Sequence, residues 1–168
     1  MDTSALCAEI IAAAYDKYAA MIYRLCVVQL GNVSDAEDVV QDVFVKYMSV
    51  LPEFNDDEHE KAWFIRVAVN RCHDKHRSRA LRSTVPLESV AQLAANEQKA
   101  AVLDELMALP EKYRTPLVLH YYEGYSVKEI AKLMQLTEAT VKVRLHRARV
   151  QLKAEVMEGY GYVTTGIE

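Results

Sequence analysis

Between Ser126 and Lys153 the apolar positions recur at helical spacing, with one interruption. Ile130, Leu133 and Met134 belong to a short first helix. Val141, Leu145, Ala148 and Leu152 follow i, i+4, i+7, i+11 and form one stripe on a longer second helix. Ser126 and Glu129 stand at capping-box spacing and Thr137 precedes the second helix, so the break falls at Gln135, Leu136 and Thr137. A short helix, a tight turn and a longer basic helix predict a helix-turn-helix.

The same periodicity runs through most of the chain. Ala5 to Leu30 is an amphipathic pattern, with Leu6, Ile10, Ala13 and Ala14 leading to Ile22, Leu25 and Leu30, and Gly31-Asn32 stops it. Ser34, with Glu37 in capping-box position, predicts the start of a second helix whose inner face is Ala36, Val40, Val43 and Tyr47, flanked by Val39 and Phe44. Leu51 to Glu60 is acidic and contains a Pro, hence a loop. Lys61 to Arg82 reads as one long helix with Phe64, Val67, Ala68 and Cys72 inward. Ser83 to Gln98 reads as a linker with room for a short helical piece. Ala100 to Leu109 is helical, with Val102, Leu103, Leu106 and Leu109 apolar, and a further helix follows Pro110 and ends near Gly124. Within it Pro116 implies either a kink or a new start capped by Thr115. Tyr121, Tyr122 and Tyr125 are core candidates, as are Tyr15, Tyr18 and Tyr23 near the N-terminus. Residues after Met157 read as a frayed tail.

Five Gly and four Pro in 168 residues are few breakers, and with the long amphipathic runs they predict an all-α protein. No leader-like or membrane-spanning apolar run is evident, which predicts a cytoplasmic protein without membrane insertion. Cys7, Cys26 and Cys72 are odd in number and far apart, as reduced thiols are. Cys72, His73 and His76 lack a second Cys pair, and His73 sits well round the helix from the other two, so no metal centre is expected there.

The net charge of -4 conceals a segregation. Ser126 to Lys153 carries +5 and Lys61 to Arg82 carries +6, leaving -15 on the remainder. Two basic patches in an acidic chain are the footprint of two separate nucleic-acid contacts. On the second helix of the helix-turn-helix the outward face carries Ala139, Val143, His146 and Val150, flanked by Thr140, Lys142, Arg147 and Arg149. Arg and Lys suit phosphates and guanine edges, while Val and Ala suit a thymine methyl. On the Lys61 to Arg82 helix, Trp63, Arg66, Asn70, Asp74 and Arg77 share one side. That side offers a stacking plane, base-edge donors and phosphate partners, although Trp63 equally suits a core anchor. The outer face after Ser34 carries Asp35, Asp38, Gln41 and Asp42 with Val45 among them, an acidic and amide rim around an apolar contact for a basic protein helix.

Two other functions account for fewer of these residues. A transcriptional regulator that binds DNA through its helix-turn-helix, with the N-terminal helices as a sensor or dimer interface, gives the face around Gln41 no role. A metal-dependent phosphohydrolase would use Glu37, Asp38 and Asp42, yet Glu37 points well away from the other two and no His completes the site.

Taken in order, DAEDVVQDVF, AWFIRVAVNRCHDKHR, LPEKYRTPLVLHYYEGYS and KEIAKLMQLTEATVKVRLHRAR resemble a bacterial RNA polymerase sigma factor of the extracytoplasmic-function (ECF) type. The resemblance implies two small helical domains, region 2 at residues 1–82 and region 4 at residues 100–157, joined by a linker at 83–99 and followed by a tail at 158–168. It implies core polymerase docking by Asp38, Gln41 and Asp42. Minus-ten promoter DNA would be recognised and opened by Trp63, Arg66, Asn70 and Arg77. Minus-thirty-five DNA would be read by Thr140, Lys142, Val143, Arg144, His146 and Arg147. It further implies no catalytic residue, cofactor or metal, and control by an anti-sigma factor. The sequence departs from the pattern at Pro116, where an ordinary apolar helix residue is usual, and the Leu51 to Glu60 loop carries no transferable base-reading residue.

Overall fold

A computed structural model describes residues 3–79 and 104–152. The predicted linker at 83–99, the tail from 158 and positions such as Arg82, Val102, Leu103 and Lys153 lie outside the described residues. The chain divides into two compact units, Met1–Pro86 and Leu87–Glu168. Among the described residues all regular structure is helical.

Unit 1 is a three-helix bundle in which α1 (Thr3–Leu30), α2 (Val33–Val50) and α3 (Asp57–Arg79) each pack on the other two. All six inward positions expected on α2 are buried, and so are Phe64, Val67, Ala68 and Cys72 on α3. Phe64 sits at the centre, with the rings of Tyr18, Phe44, Tyr47 and Trp63 at 4.8, 5.3, 4.9 and 5.2 Å between centroids. Each such pair adds about 0.5 to 1.5 kcal/mol beyond burial.

Three expectations are corrected here. The cap of α2 is Asn32, not Ser34: Asn32 is extended and its side chain accepts the Asp35 N–H at 2.9 Å. Gly31, at φ +61°, turns the chain so abruptly that the new helix can begin two residues earlier. Leu6, Ile10 and Ala13 are exposed, although their spacing pointed inward. At 1.5 Å per residue α2 spans about 27 Å and α1 about 42 Å. Returning along α1 from a two-residue link, α2 runs out near Ala14, the first buried position. Finally, α3 starts at Asp57, so the loop stops at Asp56, whose carboxylate accepts the His59 N–H at 2.7 Å. Asp57, Glu58 and Glu60 occupy the first turn, where the helix dipole favours them.

The two ends of α3 are tied to α1. Tyr18 donates its hydroxyl to Glu60 at 2.9 Å, Tyr47 donates to the other oxygen at 3.4 Å, and Lys17 lies 3.6 Å away. At the other end His76 meets the Gln29 carbonyl at 3.0 Å and Arg79 donates to the Leu30 carbonyl at 2.9 Å. These are last-turn carbonyls of α1, which lack helical donors.

Unit 2 contains helical residues 104–108, α4 (Glu111–Tyr121), α5 (Val127–Met134) and α6 (Glu138–Gln151), with α4 and α5 both packed on α6. Leu106 and Leu109 are buried as expected. α4 runs through Pro116 without a new start, and Thr115 is fully buried inside a helix that begins at Glu111. Gly124, at φ +75°, lets the Tyr125 N–H return to the Leu119 carbonyl at 2.9 Å. Of the three tyrosines there, Tyr125 is buried, Tyr121 half-buried and Tyr122, the C-cap of α4, exposed.

Candidate functional site

The helix-turn-helix of unit 2 is built from local chemistry. Ser126 accepts the Glu129 N–H at 3.2 Å, and the Glu129 carboxylate accepts the Ser126 N–H at 2.8 Å. That second bond, with the Ser126 hydroxyl, holds the Glu129 carboxyl below its ordinary range. Gln135 turns the chain at φ +55°, and Thr137 then caps α6 by accepting the Thr140 N–H at 3.1 Å. The stripe Val141, Leu145, Ala148 and Leu152 is buried, although Leu152 follows the last helical residue.

With that stripe inside, the other side of α6 faces out. Lys142, Val143, His146 and Arg147 are exposed, while Thr140 and Arg144 are half-buried. All six residues expected to contact the minus-thirty-five element therefore lie along one helix at its accessible surface. Arg147 and Arg149 each donate to a tyrosine hydroxyl of α4, Arg147 to Tyr113 at 3.3 Å and Arg149 to Tyr121 at 2.9 Å. Beside the α6 face lies a shallow groove of about 330 Å³, whose lining includes Lys112 and Tyr113 of α4. Neither stood out in the sequence, where Tyr113 passes for an ordinary core aromatic some thirty residues before the basic helix.

In unit 1, Arg66, Asn70 and Arg77 are exposed on α3 and Trp63 is half-buried. Trp63 is both an anchor and a surface: its ring meets Tyr47, Phe54 and Phe64 edge-on at 5.7, 6.1 and 5.2 Å. Phe54, from the loop, also lies parallel to Tyr47 at 6.5 Å, so the loop adds an aromatic ring beside Trp63. Arg77 pairs with Asp74 at 2.7 Å on the surface. Lys75 and Arg79, which counted toward the basic patch, hold the bundle instead. Arg79 and Lys75 both meet Asp35, and Lys75 meets Asp38 at 3.1 Å. Cys72 is fully buried.

On α2, Asp38, Gln41, Asp42 and Val45 are exposed together. Met48 is exposed too, and 41, 45, 48 is the i, i+4, i+7 spacing of a single face. That spacing was the available signal for Met48. Among the described residues the side chains of Gln41 and Asp42 make no ion pair or hydrogen bond, whereas Asp38 is partly neutralised by Lys75.

Two family models match this chain: Sigma-70 region 2 over residues 14–82 and Sigma-70, region 4 over residues 99–152. The ECF RNA polymerase sigma factor SigM of Mycobacterium tuberculosis is 33% identical over 150 residues, covering 87% of this chain and 74% of that protein. The chain belongs to the ECF sigma factors. SigW of Bacillus subtilis, also an ECF sigma factor, is 29% identical over 162 residues, covering 85% of this chain and 87% of SigW. The fold is that of the sigma factor RpoE of Bartonella quintana, solved in complex with the anti-sigma factor NepR. It matches with a TM-score of 0.68 at 20% identity, covering 86% of this chain and 94% of that one. Sigma factors are transcription initiation factors rather than enzymes, and this one directs promoter-specific initiation. Among the described residues no helix is long and apolar enough to cross a membrane.

Proposed function

We propose that this sigma factor divides its task among three exposed helix faces. The α2 face, Asp38, Gln41 and Asp42 around Val45 and Met48, docks on a basic helical surface of core RNA polymerase. The α3 face engages the minus-ten element: Trp63 stacks on an unpaired base, Asn70 meets a base edge, and Arg66 and Arg77 meet phosphates. The outward face of α6 reads the minus-thirty-five element through Thr140, Lys142, Val143, Arg144, His146 and Arg147. Region 2 then occupies residues 1–82 and region 4 residues 100–157, with 83–99 as linker and 158–168 as tail. The protein works in the cytoplasm, and an anti-sigma factor restrains it by covering one of these faces, a partnership supported by the complex in which the RpoE fold was solved.

The observation that carries this proposal is the sorting of charge on α3. Lys75 and Arg79 are engaged within the bundle, while Arg66, Asn70 and Arg77 remain outward on the side of α3 that carries Trp63, with Arg77 paired to Asp74 at the surface. No covalent chemistry is required. Unstacking a promoter base costs a few kcal/mol, which a stacking contact of about 1 to 3 kcal/mol per base largely offsets.

The test is transcription in vitro with core polymerase. Trp63→Ala lowers initiation on duplex promoters by about tenfold or more and leaves it nearer wild type on templates already unpaired at the minus-ten element. Equal loss on both templates contradicts the stacking role. Arg147→Ala costs about 1 to 3 kcal/mol and relaxes preference at one base pair if it makes a bidentate base contact. Uniform weakening across sequences makes it a phosphate contact instead.

A further inference from the structure

The groove beside α6 has two walls. One is the α6 face with Thr140, Val143, Arg144 and Arg147; the other is the first turn of α4, with Lys112 and Tyr113. Three of the lining residues are cations and none is a carboxylate, so the groove is a positive concavity along the helix that reads DNA. Both walls belong to unit 2.

The two α4 residues differ in what they offer. Lys112 is exposed, with its ammonium 5.1 Å from the centroid of the Tyr113 ring, an arrangement that favours a cation over that face. Tyr113 is buried, so its hydroxyl is a fixed point, and it accepts from Arg147 Nη1 at 3.3 Å. That bond engages one of the five guanidinium donors and leaves the rest of the fork for a base edge. An exposed Arg otherwise loses much side-chain freedom when it binds; one already held at a rigid hydroxyl loses less. The Arg147 guanidinium in turn holds the Tyr113 phenol below its ordinary range, as expected of a phenol oxygen facing a cation.

We propose that the first turn of α4 is the second wall of the minus-thirty-five contact, where Lys112 binds a backbone phosphate and Tyr113 is a positioning residue for Arg147. The inference rests on the assignment of α6 as the reader of that element. Such an arrangement joins a sequence-independent grip to a pre-set base contact, so the two residues leave different signatures.

The experiment uses the full chain assembled with core polymerase and a duplex promoter library randomised across the minus-thirty-five element, at several salt concentrations. Lys112→Gln weakens binding to all sequences alike and makes the slope of log K against log salt shallower by about 0.9. Tyr113→Phe, which keeps the buried ring, retains the wild-type salt slope and unfolding temperature. It loses preference at one base pair, the same position that Arg147→Ala relaxes. An unchanged slope in Lys112→Gln, or a wild-type preference profile in Tyr113→Phe, overturns the inference. If Arg147→Ala keeps both the wild-type profile and the wild-type affinity, the failure lies in the assignment of α6 itself; uniform weakening makes Arg147 a phosphate contact and overturns the positioning role of Tyr113.

Discussion

In unit 2 the starts of α5 and α6 are fixed by side chains three residues away, Ser126 with Glu129 and Thr137 with Thr140. In unit 1 local caps of the same kind start α2 and α3, Asn32 with Asp35 and Asp56 with His59, but α1 and α3 are also tied by partners far along the chain: Tyr18 and Glu60 are 42 residues apart, Gln29 and His76 are 47, Leu30 and Arg79 are 49. The contrast bears on function as well as folding. In unit 2 a cation on the outer face of α6 mostly remains available to a ligand. In unit 1 several charges that belong to basic or acidic runs in the sequence are engaged with one another, and only the remainder can meet a partner.

The long-range ties of unit 1 converge most closely on Glu60. Glu60→Ala removes the acceptor shared by two tyrosine hydroxyls, and unit 1 is expected to lose about 2 to 3 kcal/mol in urea unfolding, the range for hydrogen bonds to a charged group. Asp35→Asn is next. It weakens the tie to Arg79 and Lys75 at a partly buried site and is expected to cost about 1 to 2 kcal/mol, with Arg79 still held by the Leu30 carbonyl.

In unit 2 a local cap is the corresponding target, and Ser126→Ala is expected to cost about 1 kcal/mol. That penalty depends on pH. Because the folded state lowers the Glu129 pKa, its carboxylate stabilises the fold above the ordinary carboxylate range, and this contribution is lost as pH falls through the lowered value. Thermal unfolding of wild type and Ser126→Ala at pH 7 and near pH 3 is therefore expected to show the gap narrowing in acid. The smallest effect is a gain: Gln135→Gly relieves a left-handed residue and is expected to add about 0.5 kcal/mol, net of the entropy glycine brings to the unfolded chain.

How far each unit was legible in the sequence follows from the same difference in range. Ser126, Glu129 and Thr137 declare their helices within four residues, and the apolar stripe of α6 declares its inner face, so the helix-turn-helix and its outward residues were readable from spacing alone. In unit 1 the inner faces of α2 and α3 were equally readable. Two other features were not. Leu6, Ile10 and Ala13 share the apolar spacing of the helix that follows, and only the length of α2 decides that they stay uncovered. Lys75 and Arg79 look like nucleic-acid ligands until Asp35, some forty residues earlier in the chain, is seen beside them. Ser34 misled for a subtler reason, since its capping-box spacing was genuine but the turn at Gly31 brought Asn32 into place first.

Charges engaged within the bundle and charges left exposed on α2 are proposed to serve different ends, stability in one case and polymerase docking in the other. The direct measurement is the affinity of core RNA polymerase for the full chain, comparing Asp42→Lys with Asp35→Asn, each shown to be folded under the assay conditions. A reversed charge at a docking face places like charges together at a cost of several kcal/mol. Asp42→Lys is expected to weaken binding by at least about tenfold, while Asp35→Asn lowers the unfolding midpoint and leaves the affinity near wild type. Wild-type affinity in Asp42→Lys, or equal losses of affinity in both variants, contradicts the account.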